Sequence, residues 1–523
     1  MSDAKFRLAH WSDAQVGLFL FVALWLTYGF FVGDFAVPNA LTRMALVLEL
    51  IHNHAPAIDD FARFPLDKVA IGAQVYADKP PALSFTALPF VAGLVWAAHA
   101  LNFAALPIDV NKLTPFYSLA TAVAAFFTGG LFTAAAAAMF YRLARHWRAS
   151  RSAALFGTLG FALASPMLGW AGVFFSHATA GACLFLAFGC IALGVERAAS
   201  PPRDALCGLA FGLLLAWAAA VEPTAALAAA LIAVFGLWTL RGLEMRRGAT
   251  IAGATVIGVI AGLLPTLIYN AAVFGTVFHS GLETATGIAA MPRGIGAMPQ
   301  GIASLSWPRP ARLYGLLFGE YRGIVWVAPL LFLAPLGYWA SFRALPRPAW
   351  IALLVVPIAH FLLIAGYAYW WGGWSTGPRF VVPSLAFLIL PLVFLWQRAG
   401  EGARLVLAGI ALAGAGAALA CASVGMATPE PYPSPMLSYI LPLFVGGFIR
   451  NALTLAGLRG FITLAALPVL WLAVAAAVAA VARRQPPAEA PVAAGASARP
   501  EHARPTPRGH HAQSRKPGAA QRG

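Results

Sequence analysis

The interval from Asp34 to Pro81 carries many charged side chains for a chain that is otherwise strongly apolar. The charged residues there that could take part in chemistry are Asp34, Arg43, Asp59, Asp67, Asp78 and Lys79. A carboxylate can accept the proton of an attacking hydroxyl, and a lysine or arginine can hold an anion such as a departing phosphate. We therefore predict that this interval forms part of a reactive site.

Among these carboxylates, Asp59 is the first candidate for a general base. It follows a predicted helix over 39–52, and repulsion from the neighbouring Asp60 could raise its pKa. Asp67 and Asp34 are the next candidates. A solvating or capping role in a loop is the alternative for each of the three.

Two cations are placed to bind phosphate. Lys79 precedes Pro80 and Pro81, which fix the backbone and prevent the preceding residues from continuing a helix. Arg379 follows Gly377 and Pro378, and its guanidinium fork could clamp a phosphate. Contact with lipid headgroups is the competing role, and it suits Arg322 better than Arg379.

Three further residues are candidates for contact with a substrate. His177 could bind a metal, donate a proton or hydrogen-bond a sugar, although a structural role is also common for histidine. Glu222 stands between two apolar runs, where it either lines a site or caps a turn. Trp374 belongs to an aromatic, glycine-rich run that could stack on a sugar ring or form part of an interfacial belt.

The composition determines the kind of scaffold that must position these residues. Of 523 residues, 60% are hydrophobic and 10% are charged, and the mean hydropathy is +0.76. A water-soluble globular protein would not have this composition, and a transmembrane barrel would show alternating polarity instead of long apolar runs. The sequence therefore predicts an all-α polytopic membrane protein.

The formal charge of +16 does not indicate nucleic-acid binding, because the basic residues lie in short clusters between apolar runs and in the tail. The four cysteines have no metal-binding spacing, and no nucleotide-binding motif occurs. Residues 485–523 are rich in Pro, Ala, Gly and Arg, which predicts a disordered basic tail on the cytoplasmic side.

The basic clusters also predict the topology, with the N-terminus in the cytoplasm. About twelve spans result, at 15–33, 115–141, 153–171, 178–195, 205–221, 224–240, 250–272, 323–341, 350–369, 380–396, 405–424 and 461–482. The membrane domain is residues 1–484, with a first extracytoplasmic loop at 34–114 and a second at 274–322. We place the apolar run from Ala82 to Phe103 on the outer side, as a juxtamembrane or re-entrant segment. The helix over 39–52 has the pattern of an amphipathic helix in the membrane interface, and an ordinary loop helix is the alternative.

Several motifs resemble those of a known family. They are Asn39-x-x-x-Arg43, Ile58-Asp59, Asp67-Lys68, the run Tyr76-Ala-Asp78-Lys79-Pro80-Pro81, Phe318-Gly319-x-x-x-Gly323, and Gly373-Trp374-Ser375-x-Gly377-Pro378-Arg379. Up to about Arg484 the chain resembles GT-C glycosyltransferases. The nearest kin are bacterial family 39-like proteins, related to protein O-mannosyltransferases and to the lipid A aminoarabinose transferase. The family's usual acid lies three or four residues before the arginine that matches Arg43, where this chain has Asn39 and Ala40.

The resemblance implies a GT-C fold and transfer of a sugar, with inversion, from a polyprenyl-phosphate donor. The acceptor would be an extracytoplasmic glycan, lipid or protein, and the protein would lie in the inner membrane with its active site facing outward. Arg43, Asp78, Lys79, His177, Glu222, Trp374 and Arg379 would contact substrate. No cofactor is assigned, and a divalent metal stays open. The alternatives are a transporter or flippase of lipid-linked glycans, an O-antigen ligase or polymerase, and a catalytically silent partner subunit.

Overall fold

The structure is a computed structural model that describes residues 11–64, 66–101, 115–196, 200–278, 281 and 305–484. The predicted disordered tail and most of the predicted second extracytoplasmic loop lie outside these residues. The first twelve α-helices are α1 (Asp13–Phe30), α2 (Pro38–His52), α3 (Ala82–Ala100), α4 (Pro115–Ala125), α5 (Leu131–His146), α6 (Arg151–Ala162), α7 (Met167–Trp170), α8 (Ser176–Gly194), α9 (Pro201–Val221), α10 (Ala226–Leu240), α11 (Met245–Phe274) and α12 (Pro310–Leu317).

The later helices are α13 (Ala334–Ser341), α14 (Arg347–Gly366), α15 (Leu385–Ile389), α16 (Leu392–Arg398), α17 (Glu401–Val424), α18 (Leu441–Val445), α19 (Ala452–Leu455) and α20 (Ala466–Arg484). Short 3₁₀ helices lie at Asp59–Phe61, Pro223–Ala225, Ile324–Trp326, Pro329–Leu333, Arg379–Ser384 and Phe461–Ala465, and π-helical turns at Phe126–Gly130 and Met436–Ile440. Two strands, β1 (Lys68–Ile71) and β2 (Gln74–Ala77), form one antiparallel hairpin. The prediction of an all-α polytopic membrane protein is confirmed.

Within the described ranges, 11 helices are long and apolar enough to cross a membrane. They are Asp13–Phe30, Ala82–Ala100, Phe116–His146, Ser176–Gly194, Pro201–Val221, Pro223–Leu240, Met245–Phe274, Arg347–Gly366, Arg379–Arg398, Glu401–Val424 and Phe461–Val481. Ten of these match predicted spans. The helix α3 is also long enough to span, so the prediction that it stays outside the bilayer stays a prediction.

Two predicted spans are not among these 11 helices, because the structure divides each of them into shorter pieces. The run over 153–171 divides into α6 and α7, with Pro166 at the start of the second piece. The run over 323–341 contains two 3₁₀ helices before α13, and Pro329 starts the second of them. Proline has no N–H to donate and collides with the preceding turn, which interrupts an α-helix.

The helix α2 is packed inside the molecule, so its predicted position in the membrane interface is wrong. Its residues from Asn39 to Glu49 are all buried. The Thr42 hydroxyl accepts a hydrogen bond from the Asp67 N–H (2.9 Å), and the Ser84 hydroxyl at the start of α3 donates to the Arg43 carbonyl (3.0 Å). The helix is thus fixed between the hairpin and α3, and this position aims Arg43 inward.

Close backbone contact joins α9 to α11. A Cβ added at Gly212 would lie 2.0 Å from the Thr255 carbonyl oxygen, and one at Gly258 would lie 2.3 Å from that of Leu209. Small residues allow membrane helices to approach this closely and to gain dispersion energy along the contact. One residue of α9, Ala219, lines the cavity described below.

The two ends of the bundle differ in their side chains. At the end where α1 begins, Asp13 accepts hydrogen bonds from Tyr141 (2.8 Å) and Arg145 (3.0 Å), and Arg247 donates to Asp204 (3.1 Å). The opposite end, where α9 finishes and α8 begins, carries Glu222, His177 and the glycine-rich run that precedes Arg379. That this second end faces away from the cytoplasm stays a prediction from the basic clusters.

Candidate functional site

A cavity of about 550 Å³ opens at the end of the bundle opposite Asp13. Its polar and aromatic lining residues are Asn39, Arg43, Lys79, Ser176, His177, Glu222, Thr224, Phe278, Tyr367, Tyr369, Arg379 and Phe380. Its apolar lining includes Leu227, Leu363 and Ile364 from helices α10 and α14. The site therefore combines a polar floor with an apolar flank.

Arg43 brings a buried cation to this cavity. It is only 2% exposed, its Nε donates to Asn39 Oδ1 (3.1 Å), and its Nη1 donates to the Pro80 carbonyl (3.1 Å). Burial lowers the pKa of Arg43 to about 10, and the nearby Glu222 and Asp78 oppose that effect. The guanidinium stays charged at neutral pH, and its remaining N–H groups have no hydrogen-bond partner within the described ranges, so they can contact an anion.

Lys79 lies between two carboxylates at the end of the β-hairpin. Its Nζ is 3.1 Å from Asp67 Oδ2 and 2.9 Å from Asp78 Oδ2. Burial alone would lower the pKa of Lys79, but Asp67 and Asp78 outweigh it and the pKa is raised. Burial raises the pKa of Asp78, against the effect of Lys79. An ammonium has three protons, so Lys79 can serve both acids and still donate into the cavity.

Arg379 reaches the cavity from the second half of the chain. The preceding run turns through Gly372 (φ 73°), Gly373 (φ 63°) and Gly377 (φ 75°), and left-handed backbone of this kind favours glycine. A Cβ on Gly373 would lie 2.0 Å from the Tyr369 hydroxyl oxygen. The Arg379 guanidinium carbon is 5.2 Å from the centre of the Phe380 ring, and its Nε is buried with no hydrogen-bond partner among the described residues.

Arg322 holds this glycine-rich run in place. It is 0% exposed, and it donates to the carbonyls of Trp371 (2.9 Å), Gly373 (2.7 Å) and its neighbour Tyr321 (2.9 Å). Burial lowers the pKa of Arg322 to about 10. Contact with lipid headgroups, the competing role considered for Arg322, does not fit this buried position, because three backbone carbonyls already use its donors.

Glu222 and His177 meet on another wall of the cavity. Glu222 Oε2 accepts from the Ser176 hydroxyl (2.6 Å) and lies 3.1 Å from His177 Nδ1, while Oε1 accepts from the Thr224 hydroxyl (2.8 Å). The His177–Glu222 contact has the distance of an ion pair but not the alignment of a hydrogen bond. Burial alone would raise the pKa of Glu222, but His177, Ser176 and Thr224 hold it well below its usual range.

Comparison with solved structures identifies the fold. The structure of ArnT from Cupriavidus metallidurans bound to undecaprenyl phosphate aligns over 89% of this chain and 76% of its own, with a TM-score of 0.50 and 15% identity. The apo structure of the same protein aligns over 90% and 75%, with a TM-score of 0.51 and 16% identity. This chain has the GT-C fold. No family model matches the sequence, and no curated protein matches it.

Of the ten predicted site residues, five line the cavity of this GT-C fold, two contact Lys79 from outside the lining, and three lie elsewhere. Arg43, Lys79, His177, Glu222 and Arg379 line the cavity, and Asp78 contacts Lys79. Asp67 also lies behind Lys79, as its ion-pair partner. Asp59 is exposed and accepts a hydrogen bond from the Val75 N–H (2.6 Å) in the hairpin.

Asp34 and Trp374 are also outside the cavity of this GT-C fold. Asp34 is buried, and its carboxylate accepts from the N–H groups of Met426 (2.6 Å) and Ala427 (3.2 Å), which fastens the first loop to the region after α17. Trp374 is 44% exposed and is not part of the lining. The structure therefore does not place Asp59, Asp67 or Asp34 where a base for a substrate in this cavity would stand.

Sequence reasoning missed several groups that the GT-C fold brings to the site. Ser176 and Thr224 flank predicted residues, and only the fold shows that both hold the same carboxylate. His360 lies inside the span α14, fully buried, with Nδ1 2.7 Å from the Ser384 hydroxyl. No group of three or more His, Cys, Asp or Glu residues that could hold a metal occurs within the described residues.

Proposed function

We propose that this protein is a membrane glycosyltransferase that moves a sugar, with inversion, from a polyprenyl-phosphate donor to an extracytoplasmic glycan, lipid or protein. One observation carries the proposal. Arg43, Lys79 and Arg379 come from three separate parts of the chain, and all three line a single cavity with an apolar flank. That combination suits a phosphate attached to a long hydrocarbon chain.

The electrostatics of the cavity favour an anion. Arg43 and Arg379 have no acidic partner within ion-pair distance in the described ranges, and each retains donors that no protein group uses. Lys79 is partly neutralised by Asp67 and Asp78, which orient its ammonium. Cations fixed in advance in a partly buried site stabilise the charge that develops on a departing phosphate.

The apolar flank offers a place for the lipid chain. Leu227 belongs to α10, and Leu363 and Ile364 belong to α14. The apolar side of the cavity is therefore formed by helices that are long enough to span a membrane. A polyprenyl chain could lie along this flank while its phosphate reaches the three cations. The ArnT structure that shares the fold contains undecaprenyl phosphate, which supports the choice of this lipid class.

The position of the site supports an extracytoplasmic active site in an inner membrane. The basic clusters after α5 and before α11 lie at the other end of the bundle. Such clusters remain in the cytoplasm, so the cavity would face outward. Nucleotide sugars are cytoplasmic, which is a further reason for a lipid-linked donor.

A catalytically silent partner subunit is the second candidate. It is favoured by Asn39, which lines the cavity beside Arg43. The family that this chain resembles usually carries an acidic residue at this place. Such a subunit would bind the lipid but would transfer nothing.

Two measurements separate these functions. The purified protein in lipid nanodiscs should bind undecaprenyl phosphate more tightly than undecaprenol, which has the same chain without the phosphate. Mass spectrometry of envelope lipids, glycans and proteins should then show a sugar that is present only in cells containing the protein. Binding without any envelope change would favour the silent subunit, and equal binding of both lipids would contradict the phosphate site.

A further inference from the structure

The proposed transfer needs a proton acceptor, and most acids near the cavity already have another role. Asp34 accepts two backbone N–H groups, Asp59 accepts one at the surface, and Asp67 and Asp78 hold Lys79. Of the described residues that line the cavity, Glu222 alone has a carboxylate.

The surroundings of Glu222 hold its carboxylate in a fixed orientation. Glu222 has an extended backbone (φ −143°, ψ 100°) between the end of α9 and Pro223, which starts a 3₁₀ helix. Its oxygens contact two hydroxyls and one imidazole. These belong to Thr224, two residues further along the chain, and to Ser176 and His177 at the start of α8. A carboxylate has about four acceptor positions, so each oxygen keeps capacity for a substrate proton.

We propose that Glu222 is the general base of the reaction, and that Ser176, His177 and Thr224 are positioning residues. This inference rests on the proposed function. The acceptor hydroxyl oxygen forms a bond to the anomeric carbon as the bond from that carbon to the phosphate oxygen breaks. The bonding electron pair leaves on the phosphate, which departs as polyprenyl phosphate. The hydroxyl proton passes to Glu222 and then to water, which restores the carboxylate.

A weakly basic carboxylate is adequate for this step. As the acceptor oxygen bonds to carbon it becomes strongly acidic, so proton transfer late in the step does not require a base of high pKa. The other titratable or charged groups that act on this wall are His177, His360, Arg43 and Arg379. The hydroxyls of Ser176 and Thr224 and the positive charge of Arg43 favour the ionised form of Glu222, which can accept a proton.

The main test is the variant Glu222→Gln, which retains the size of the side chain but cannot accept the proton. Membrane vesicles from expressing cells, which contain native lipid donors, would be assayed for the envelope modification found by mass spectrometry. We expect the rate to fall by about 10²- to 10⁴-fold, the usual contribution of general base catalysis. Binding of undecaprenyl phosphate should stay within about threefold of that of the unaltered protein, which shows that the variant is folded.

The matched control is Asp59→Asn, which makes the same chemical change at an exposed carboxylate and should leave the rate unchanged. A Glu222→Gln rate close to that of the unaltered protein would overturn the assignment of the base and leave the proposed function standing. Absence of any transfer by the unaltered protein would overturn both.

The pH profile tests the ionisation of Glu222. Because the groups around it lower its pKa, Glu222 stays ionised from neutral pH down to well below its usual range, and the rate should be flat between about pH 5 and 8. A rate that falls as the pH is lowered from 8 to 5 would overturn the proposal.

Discussion

Replacing Arg379 by glutamine should weaken the binding of undecaprenyl phosphate by roughly 10- to 150-fold. Arg379 Nε is buried without a partner among the described residues, and the hydrogen bond from Nη1 to the Trp374 carbonyl is long, at 3.4 Å. The side chain therefore contributes little to holding the loop, and its donors remain available to a ligand. A hydrogen bond between charged groups contributes about 1.5 to 3 kcal/mol, and each 1.4 kcal/mol changes affinity tenfold.

Binding would be measured in lipid nanodiscs by native mass spectrometry, with undecaprenol as the uncharged reference lipid. We expect the variant to lose affinity for the phosphate lipid and to keep its affinity for the alcohol. Arg309→Gln is the matched control, since Arg309 is exposed and does not line the cavity. Equal losses for the two lipids would show that the substitution disturbs the apolar flank or the loop. An unchanged affinity for the phosphate lipid would remove Arg379 from the site.

Three further predictions concern the frame around the site and its sidedness. Arg322→Met should lower the melting temperature and abolish the preference for the phosphate lipid. The substitution leaves buried backbone carbonyls without a donor, and each unpaired carbonyl costs about 1–3 kcal/mol of stability. An unchanged melting temperature and lipid preference would contradict the role of Arg322 in holding the loop. Gly212→Ala should destabilise the α9–α11 contact by about 1–3 kcal/mol, while Gly253→Ala, whose Cβ would meet nothing within 4 Å, should be neutral in the same thermal assay. Trp374→Cys should react with a membrane-impermeant thiol reagent added outside the cell, and Arg343→Cys should not. The reverse result would show that the protein has the opposite orientation in the membrane.

Much of the fold follows from the distribution of apolar residues. Long uncharged runs can satisfy their backbone in lipid only as helices, so ten of the spans were predictable from composition alone. Hydropathy did not reveal the helix breaks at Pro166 and Pro329, because it does not register the N–H that proline lacks. The prediction failed for α2, whose apolar face packs against protein and not against the membrane interface.

The site was predictable in part, for a different reason. Lys79 and Arg379 carry local signals, since each stands beside proline or glycine that fixes the backbone. The choice among carboxylates depends on contacts between distant residues, which spacing in the sequence does not reveal. Sequence position alone does not show which of Asp59, Asp34 and Glu222 is the base. Only the fold shows that the first two bind backbone N–H groups while Glu222 faces the cavity.

The most direct test of the account is a cryo-electron microscopy structure of the protein in nanodiscs with undecaprenyl phosphate. We predict density for the phosphate between Arg43, Lys79 and Arg379, with the lipid chain running along Leu363 and Ile364. Density for the phosphate elsewhere, or contact with none of the three cations, would contradict the central claim.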